Sequence, residues 1–264
     1  MSVTRVLRSV LAELFFALAL PVVLLAIWWI ASSGSTDPLW PSLKAILKTF
    51  PDTWTWDRIT HDVVPSMARL GIGYLLALVC GVALGTAIGL SRGLRALTEP
   101  TLEFFRAIPP PLLVPVVALF IGYTGSTSKV IVIMIGCIWP ILLNTIEGVR
   151  GLDEVLTDTA RSYRMRPQTR LRQILRGSSP QVAAGARQAL SIGVIVMVIS
   201  ELYGANSGLG ADIVQFQRAF AYAQTWTGII VLGLIGVVLS VIYRIVEHYA
   251  LAWYRGLRQA DRGA

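Results

Sequence analysis

Uncharged apolar runs recur along the chain at lengths suited to a bilayer. A helix rises 1.5 Å per residue, so about 20 residues cross about 30 Å of hydrocarbon. Six runs meet or approach that length: residues 14–30, 70–90, 108–123, 130–146, 188–203 and 226–243. They predict an all-α membrane protein with six transmembrane helices. Trp28 and Trp29 close the first run, as suits a membrane interface. The second carries no charge. The third opens with Pro109, Pro110 and Pro111 and adds Pro115, so its first turns lack backbone donors and cannot be regular helix. Such backbone survives at membrane depth only where protein or a wet cavity satisfies it. The fifth contains Glu201, which is expected near the membrane surface, within reach of water. Arg5 and Arg8 ahead of the first run resemble the start of a signal peptide. Glu13, the length of the run and the weak Ala31-Ser32-Ser33 cleavage site favour a retained span.

Composition agrees with the pattern. Hydrophobic residues make up 55% of the 264 and charged residues only 14%, against about 25% charged in a soluble domain. That excludes a disordered chain and a disulfide scaffold. Cys80 and Cys137 both lie inside apolar runs and read as packing residues. The net charge of +8 divides unevenly. With six spans, seventeen of the 23 basic residues fall on the side of the termini, and Lys44, Lys48, Arg58, Arg69, Lys129 and Arg218 fall on the other. The positive-inside rule then places both termini in the cytoplasm. The charge therefore sets orientation and gives no argument for nucleic acid.

Residues 147–187 carry eight arginines against Glu147, Asp153, Glu154 and Asp158, in a connection too long to be a simple loop. Val155, Leu156, Thr159 and Tyr163 share a face of a predicted helix over 153–164, which Pro167 ends. A second, basic helix is predicted over 168–176, ending before Gly177. Composition alone favours a loop that fixes topology and touches anionic lipid, whereas the order, two short helices around one proline, favours a compact docking element. Between the first two spans, Leu43, Ile46, Leu47 and Phe50 give one apolar face after Ser42, with Pro51 as its stop. Trp40, Trp54 and Trp56 nearby mark it as an interfacial helix on the outer surface.

Gly81, Gly85 and Gly89 repeat every four residues in the second span, with Ala77 before them. The row lets another helix approach closely, either within the chain or across a subunit interface. Asn144, Glu201 and Arg187 are the polar residues nearest the spans, which makes Asn144 and Glu201 candidates for a translocation or gate role. His61 and His248 are isolated, and no metal-ligand spacing or nucleophile–base pair stands out. Gly122–Lys129 lacks the GxxxxGK[ST] spacing of a phosphate-binding loop, so any ATP hydrolysis must come from another chain. These residues leave open a transporter driven by a partner, a stand-alone secondary transporter or channel, and, least well supported, an intramembrane enzyme.

One family fits the motifs. Phe105-Arg-Ala-Ile-Pro-Pro-Pro111, Ser128-Lys129, Pro140-Ile-Leu-Leu-Asn-Thr-Ile-Glu-Gly-Val-Arg150 and Glu201-Leu-Tyr-Gly-Ala-Asn-Ser-Gly-Leu-Gly210 resemble the nitrate, taurine and aliphatic-sulfonate branch of the ABC importer permeases. The likeness runs from Trp40-Pro-Ser42 to the C-terminus. The coupling signature of that family falls here on Asp158-Thr159-Ala160, Arg164, Ile174, Arg176 and Gly177; its first Gly is replaced by Arg164. The resemblance implies a type I importer fold and a small solute, often an anion. It also implies two partner ATPases that bind ATP and Mg, a second permease copy as a homodimer, an extracytoplasmic solute-binding protein and the bacterial inner membrane as location. No cofactor is implied in this chain. The ATPase-coupling residues would be Asp158, Thr159, Ala160, Arg161, Ser162, Tyr163, Arg164, Met165 and Arg166. The corresponding division is an N-terminal segment with the first span (1–31), an external loop (32–69), a permease core (70–250) containing the coupling loop (147–187), and a cytoplasmic tail (251–264).

Overall fold

Long apolar segments broken by Gly, Pro and Ser give helices throughout the described residues. A computed structural model of the chain describes residues 19–152 and 162–256. The helices are α1 (Ala19–Ser32), α2 (Leu43–Thr53), α3 (Trp56–Leu90), α4 (Arg92–Arg106), α5 (Pro110–Ile121), α6 (Ser126–Arg150), α7 (Pro167–Leu202), α8 (Leu209–Arg218) and α9 (Tyr222–Ala250). Four of them, α3, α6, α7 and α9, are long and apolar enough to cross a membrane. The pair α4 and α5, bent by 77°, supplies a fifth passage if counted as one broken span.

The six expected spans thus map unevenly. The first is described only from Ala19, where α1 has 14 residues and ends at Ser32. The third is not a span in its own right. Pro110–Leu112 forms a 3-10 turn and Leu113–Ile121 a helix of 9 residues, as befits a start with three missing amide donors. Helix α3 begins fourteen residues before the apolar run that marks it, through a π-turn at Ile59–Val63. At 35 and 36 residues, α3 and α7 are each about 50 Å long, well beyond the hydrocarbon core.

Two local expectations need correction. Helix α2, capped by Ser42 accepting from Ala45 N, runs through Pro51 to Thr53; the proline forfeits one ladder bond, and Trp54 N still donates to Phe50 O beyond it. Gly177 does not end a helix either. The basic segment continues without a break into the fifth span, and Gly177 makes room for Leu152, whose Cδ2 would lie 2.5 Å from an added Cβ.

The chain divides into two units. The smaller comprises the residues through Arg58 together with Ile213–Ile230. In it, Ser32 is buried and accepts from Leu43 N at 3.1 Å. Trp54 Nε1 donates to Thr227 Oγ1 at 3.0 Å, and Trp226 packs on Trp28 and Trp40. The larger unit, Ile59–Asp212 with the residues from Val231 on, is centred on α3, α6 and α7.

A repeated close contact organises that centre. An added Cβ at Gly73, Gly81, Gly85 or Gly89 would fall 2.7–2.8 Å from Ile133, Ile141, Thr145 or Val149 respectively. Both series ascend together, so α3 and α6 run parallel, with glycines on one seated against β-branched side chains on the other. Gly148, Gly185 and Gly193 place α7 antiparallel on α6, against Gln181, Asn144 and Cys137. The Gly81, Gly85 and Gly89 row therefore faces a helix of its own chain. In the larger unit α9 exposes apolar side chains, among them Val237 and Ile242, and in the smaller unit α1 exposes Leu24 and Ile30; both sets suit contact with lipid or another subunit.

Candidate functional site

Where α3 and α7 meet, at the Glu201 end of α7, the apolar packing gives way to a closed polar cluster. Glu201 is 1% exposed, so it does not reach water as its place near a helix end predicts. Arg69, also buried, donates from Nη1 to Glu201 Oε1 at 2.8 Å. Ser66 Oγ lies 2.8 and 2.9 Å from the two carboxylate oxygens and accepts from Leu209 N. Gly210 N donates to Oε2 at 3.0 Å. The guanidinium is used up in turn: it donates to Ser207 O, Ser207 Oγ and Ser126 Oγ. A buried ion pair is tolerable only when its remaining lone pairs and protons are met in this way.

The turn after α7 is shaped by that carboxylate. Gly208 has φ +129°, and an added Cβ would lie 2.5 Å from the Glu201 carboxyl carbon. Only glycine fits a backbone so close to an anion. Its amide donates to Asp62 Oδ1 at 3.0 Å. The glycines of Glu201–Gly210 thus have a geometric reason: they wrap the loop onto Glu201. As partners of Glu201, Arg69 and Ser66 carry a single signal in the sequence. Each stands at a span end at the depth where Glu201 needs a partner.

The other candidates lie elsewhere. Asn144 is half-buried at the α6–α7 crossing, where its Nδ2 donates to Pro140 O at 2.8 Å, so it stitches α6 at its internal proline. Of the coupling segment, Asp158, Thr159, Ala160 and Arg161 lie outside the described residues. Ser162, Tyr163, Arg164, Met165 and Arg166 are exposed. Arg164 has φ +48°, the left-handed conformation glycine favours, at the position where the family signature carries Gly. Arg187 pairs with Glu247 of α9 at 3.1 Å, and Tyr243 Oη donates to Ala183 O. Below these contacts an open groove of about 470 Å³ separates α7 from α9, lined by Ser191, Gly233, Gly236, Ser240 and Arg244 among others. No cluster of three or more metal-ligand side chains occurs among the described residues.

Comparison with known proteins gives this arrangement a family. The model for "binding-protein-dependent transport system inner membrane component" matches residues 73–250. The chain is 27% identical over 239 residues to a putative aliphatic sulfonates transport permease protein of Bacillus subtilis, covering 89% of this chain and 86% of that one. It is 27% identical over 244 residues to a taurine transport system permease protein of Escherichia coli, covering 88% and 87%. It is 29% identical over 223 residues to a bicarbonate transport system permease protein of Synechococcus elongatus, covering 80% and 78%. Its fold is similar to a chain of the inward-facing MetNI methionine ABC transporter, with a TM-score of 0.63 at 15% identity, over 82% of this chain and 99% of that one. Taken with the multi-pass helical architecture, these matches show that the chain belongs to the family of binding-protein-dependent transport system inner membrane components, as an ABC importer permease of the sulfonate, taurine and nitrate branch.

Proposed function

We propose that this permease works as one of a pair of copies around a shared path, and that it carries a small oxyanion inward. An external binding protein delivers the solute, and two ATPase subunits that bind ATP and Mg drive the cycle from the cytoplasm. In these systems ATP hydrolysis is carried by subunits separate from the permease. The anion reading rests on the relatives, whose names specify sulfonates, taurine and bicarbonate. Cytoplasmic termini rest on the skew of basic residues, which is sharper than a simple count. Arg69 and Lys129, two of the six basic residues assigned outside, are buried side chains rather than loop charges.

One observation carries the mechanism. Helix α7 is one continuous 36-residue helix from Pro167, next to the coupling segment, to Leu202, with Pro180 inside it and Glu201 in its last turn. A push at residues 158–166 when the ATPases close is therefore delivered as a rigid-body movement of α7 against α3, where the Arg69–Glu201 cluster joins them. Alternating access needs two packings of these helices stabilised differently by nucleotide, with no chemistry in this chain. Gly81, Gly85 and Gly89 keep α3 and α6 together as one body in both states, and Asn144 braces α6 where α7 crosses it.

The test is uptake by the permease reconstituted in vesicles with its ATPase and binding protein, against ethanesulfonate, taurine, nitrate and bicarbonate. At least one anion should accumulate, with ATP on the side of the termini. Uptake of neutral or cationic solutes only would refute the substrate assignment.

A further inference from the structure

A second buried cation stands beside the Arg69–Glu201 pair. Lys129, in the first turn of α6, is 3% exposed. Among the described residues its ammonium has neither a hydrogen-bond acceptor nor a carboxylate within 4.0 Å. Glu201 is already matched by Arg69, and Asp62, part-exposed, accepts from Gly208 N. Asp62 and Glu201 balance Arg69 and Lys129 in charge, but of the two cations only Arg69 is in direct contact with a carboxylate, so the Lys129 ammonium keeps its donors for a ligand.

The surroundings of Lys129 are those of an anion receptor. Its side chain lines a small cavity with Ser128, Ser200 and Tyr203, walled on the apolar side by Val114 and Val132. Ser128 Oγ and Ser200 Oγ donate to Gly125 O and Met197 O, which leaves the Tyr203 hydroxyl as the potential donor beside the ammonium. Helix α6, 25 residues long, starts at Ser126 with no side chain capping its free amide groups, so the positive end of its dipole faces the same region. About 10 Å³ of the cavity is open, room for a single water, so the site is closed to an anion in this conformation. Tyr203 is the wall able to move: it is 50% exposed, it follows the last residue of α7, and Gly204 after it has φ +85°.

We propose that Lys129, the N-terminus of α6 and the Tyr203 hydroxyl form the subsite that first takes up the transported oxyanion at the Glu201 end of the permease. The inference rests on the anion reading given under Proposed function. It adds a residue-level site on this chain, separate from whatever selects the solute in the binding protein. The Arg69–Glu201 pair frames the site and stays intact, while Lys129 supplies the cationic donor that meets the solute.

The experiment compares wild type with Lys129→Met, Lys129→Arg and Tyr203→Phe. Each is assembled with its ATPase and binding protein in phosphatidylcholine vesicles, whose zwitterionic headgroups exclude an anionic lipid as the occupant. Initial uptake is measured for ethanesulfonate, taurine, nitrate and bicarbonate, and basal ATP hydrolysis without binding protein is measured alongside. Lys129→Met is expected to lower anion uptake about tenfold or more, as loss of a charge-assisted contact does, with basal hydrolysis unchanged. Lys129→Arg should recover most of it, and Tyr203→Phe should lose a few-fold. Undiminished anion uptake by Lys129→Met overturns this site alone. If Lys129→Met does not assemble, Tyr203→Phe decides: wild-type uptake by it overturns the site. A wild-type complex that carries only neutral or cationic solutes overturns both the anion reading and the site.

Discussion

Arg69 and Glu201, 132 residues apart in the chain, meet at 2.8 Å with both side chains buried, and the carboxylate's other hydrogen bonds among the described residues come from Ser66 and from Gly210 N in the first turn of α8. This pair joins α3 to α7 at the end of the bundle remote from the coupling segment. The energetic weight of such a pair is asymmetric. Removing one partner leaves a buried charge unmatched, and removing both leaves only a packing problem.

Arg69→Met is therefore expected to cost about 3–5 kcal/mol, read as a fall in the unfolding midpoint of the purified permease. The double variant Arg69→Met, Glu201→Met should recover a large part of that loss. Equal losses in the single and double variants would show that the charge pairing contributes nothing specific.

The seam between α3 and α6 makes a second prediction. Gly85→Ala puts a Cβ 2.7 Å from Thr145 Cβ and 2.8 Å from the Leu142 carbonyl, so the helices must separate, at a cost of about 1–3 kcal/mol. Gly93→Ala in α4 meets nothing within 4 Å and should instead stabilise by about 0.5–1 kcal/mol. Thermal midpoints of the two variants in the same detergent should move in opposite directions.

Arg164 supplies a third. Its left-handed backbone, φ +48°, costs a residue with a Cβ roughly 1–2 kcal/mol relative to glycine. Arg164→Gly should raise the midpoint of the permease–ATPase complex by a few degrees, while Arg164→Ala keeps the strain and should not. A gain with alanine as large as with glycine would trace the effect to the lost charge.

Much of the helical frame is readable from the chain, because a bilayer imposes length and apolarity on whatever crosses it. The same rule gave the prolines at 109–111 as a break, and the break is there as a 3-10 turn and a 77° bend. The polar cluster was less accessible. Glu201 stood out as a carboxylate in a span, but its partner is on another helix, and hydropathy carries no pairing information. Near a helix end the default is solvation, and here the loop over 203–208 folds back and removes the water. The sequence predicts a stop at Gly177 for a similar reason: a glycine in a helical pattern marks either a cap or a close contact, and only the position of Leu152 distinguishes the two. The four-residue glycine row left its partner open until the constant register with Ile133, Ile141, Thr145 and Val149 identified α6.

The central claim is that this chain moves solute only as its partner ATPases turn over. Its most direct test is uptake in vesicles holding the permease, its binding protein and either the wild-type ATPase or one unable to hydrolyse ATP. The account predicts accumulation with the wild-type ATPase and none above background with the inactive one. Equal accumulation with both would contradict it.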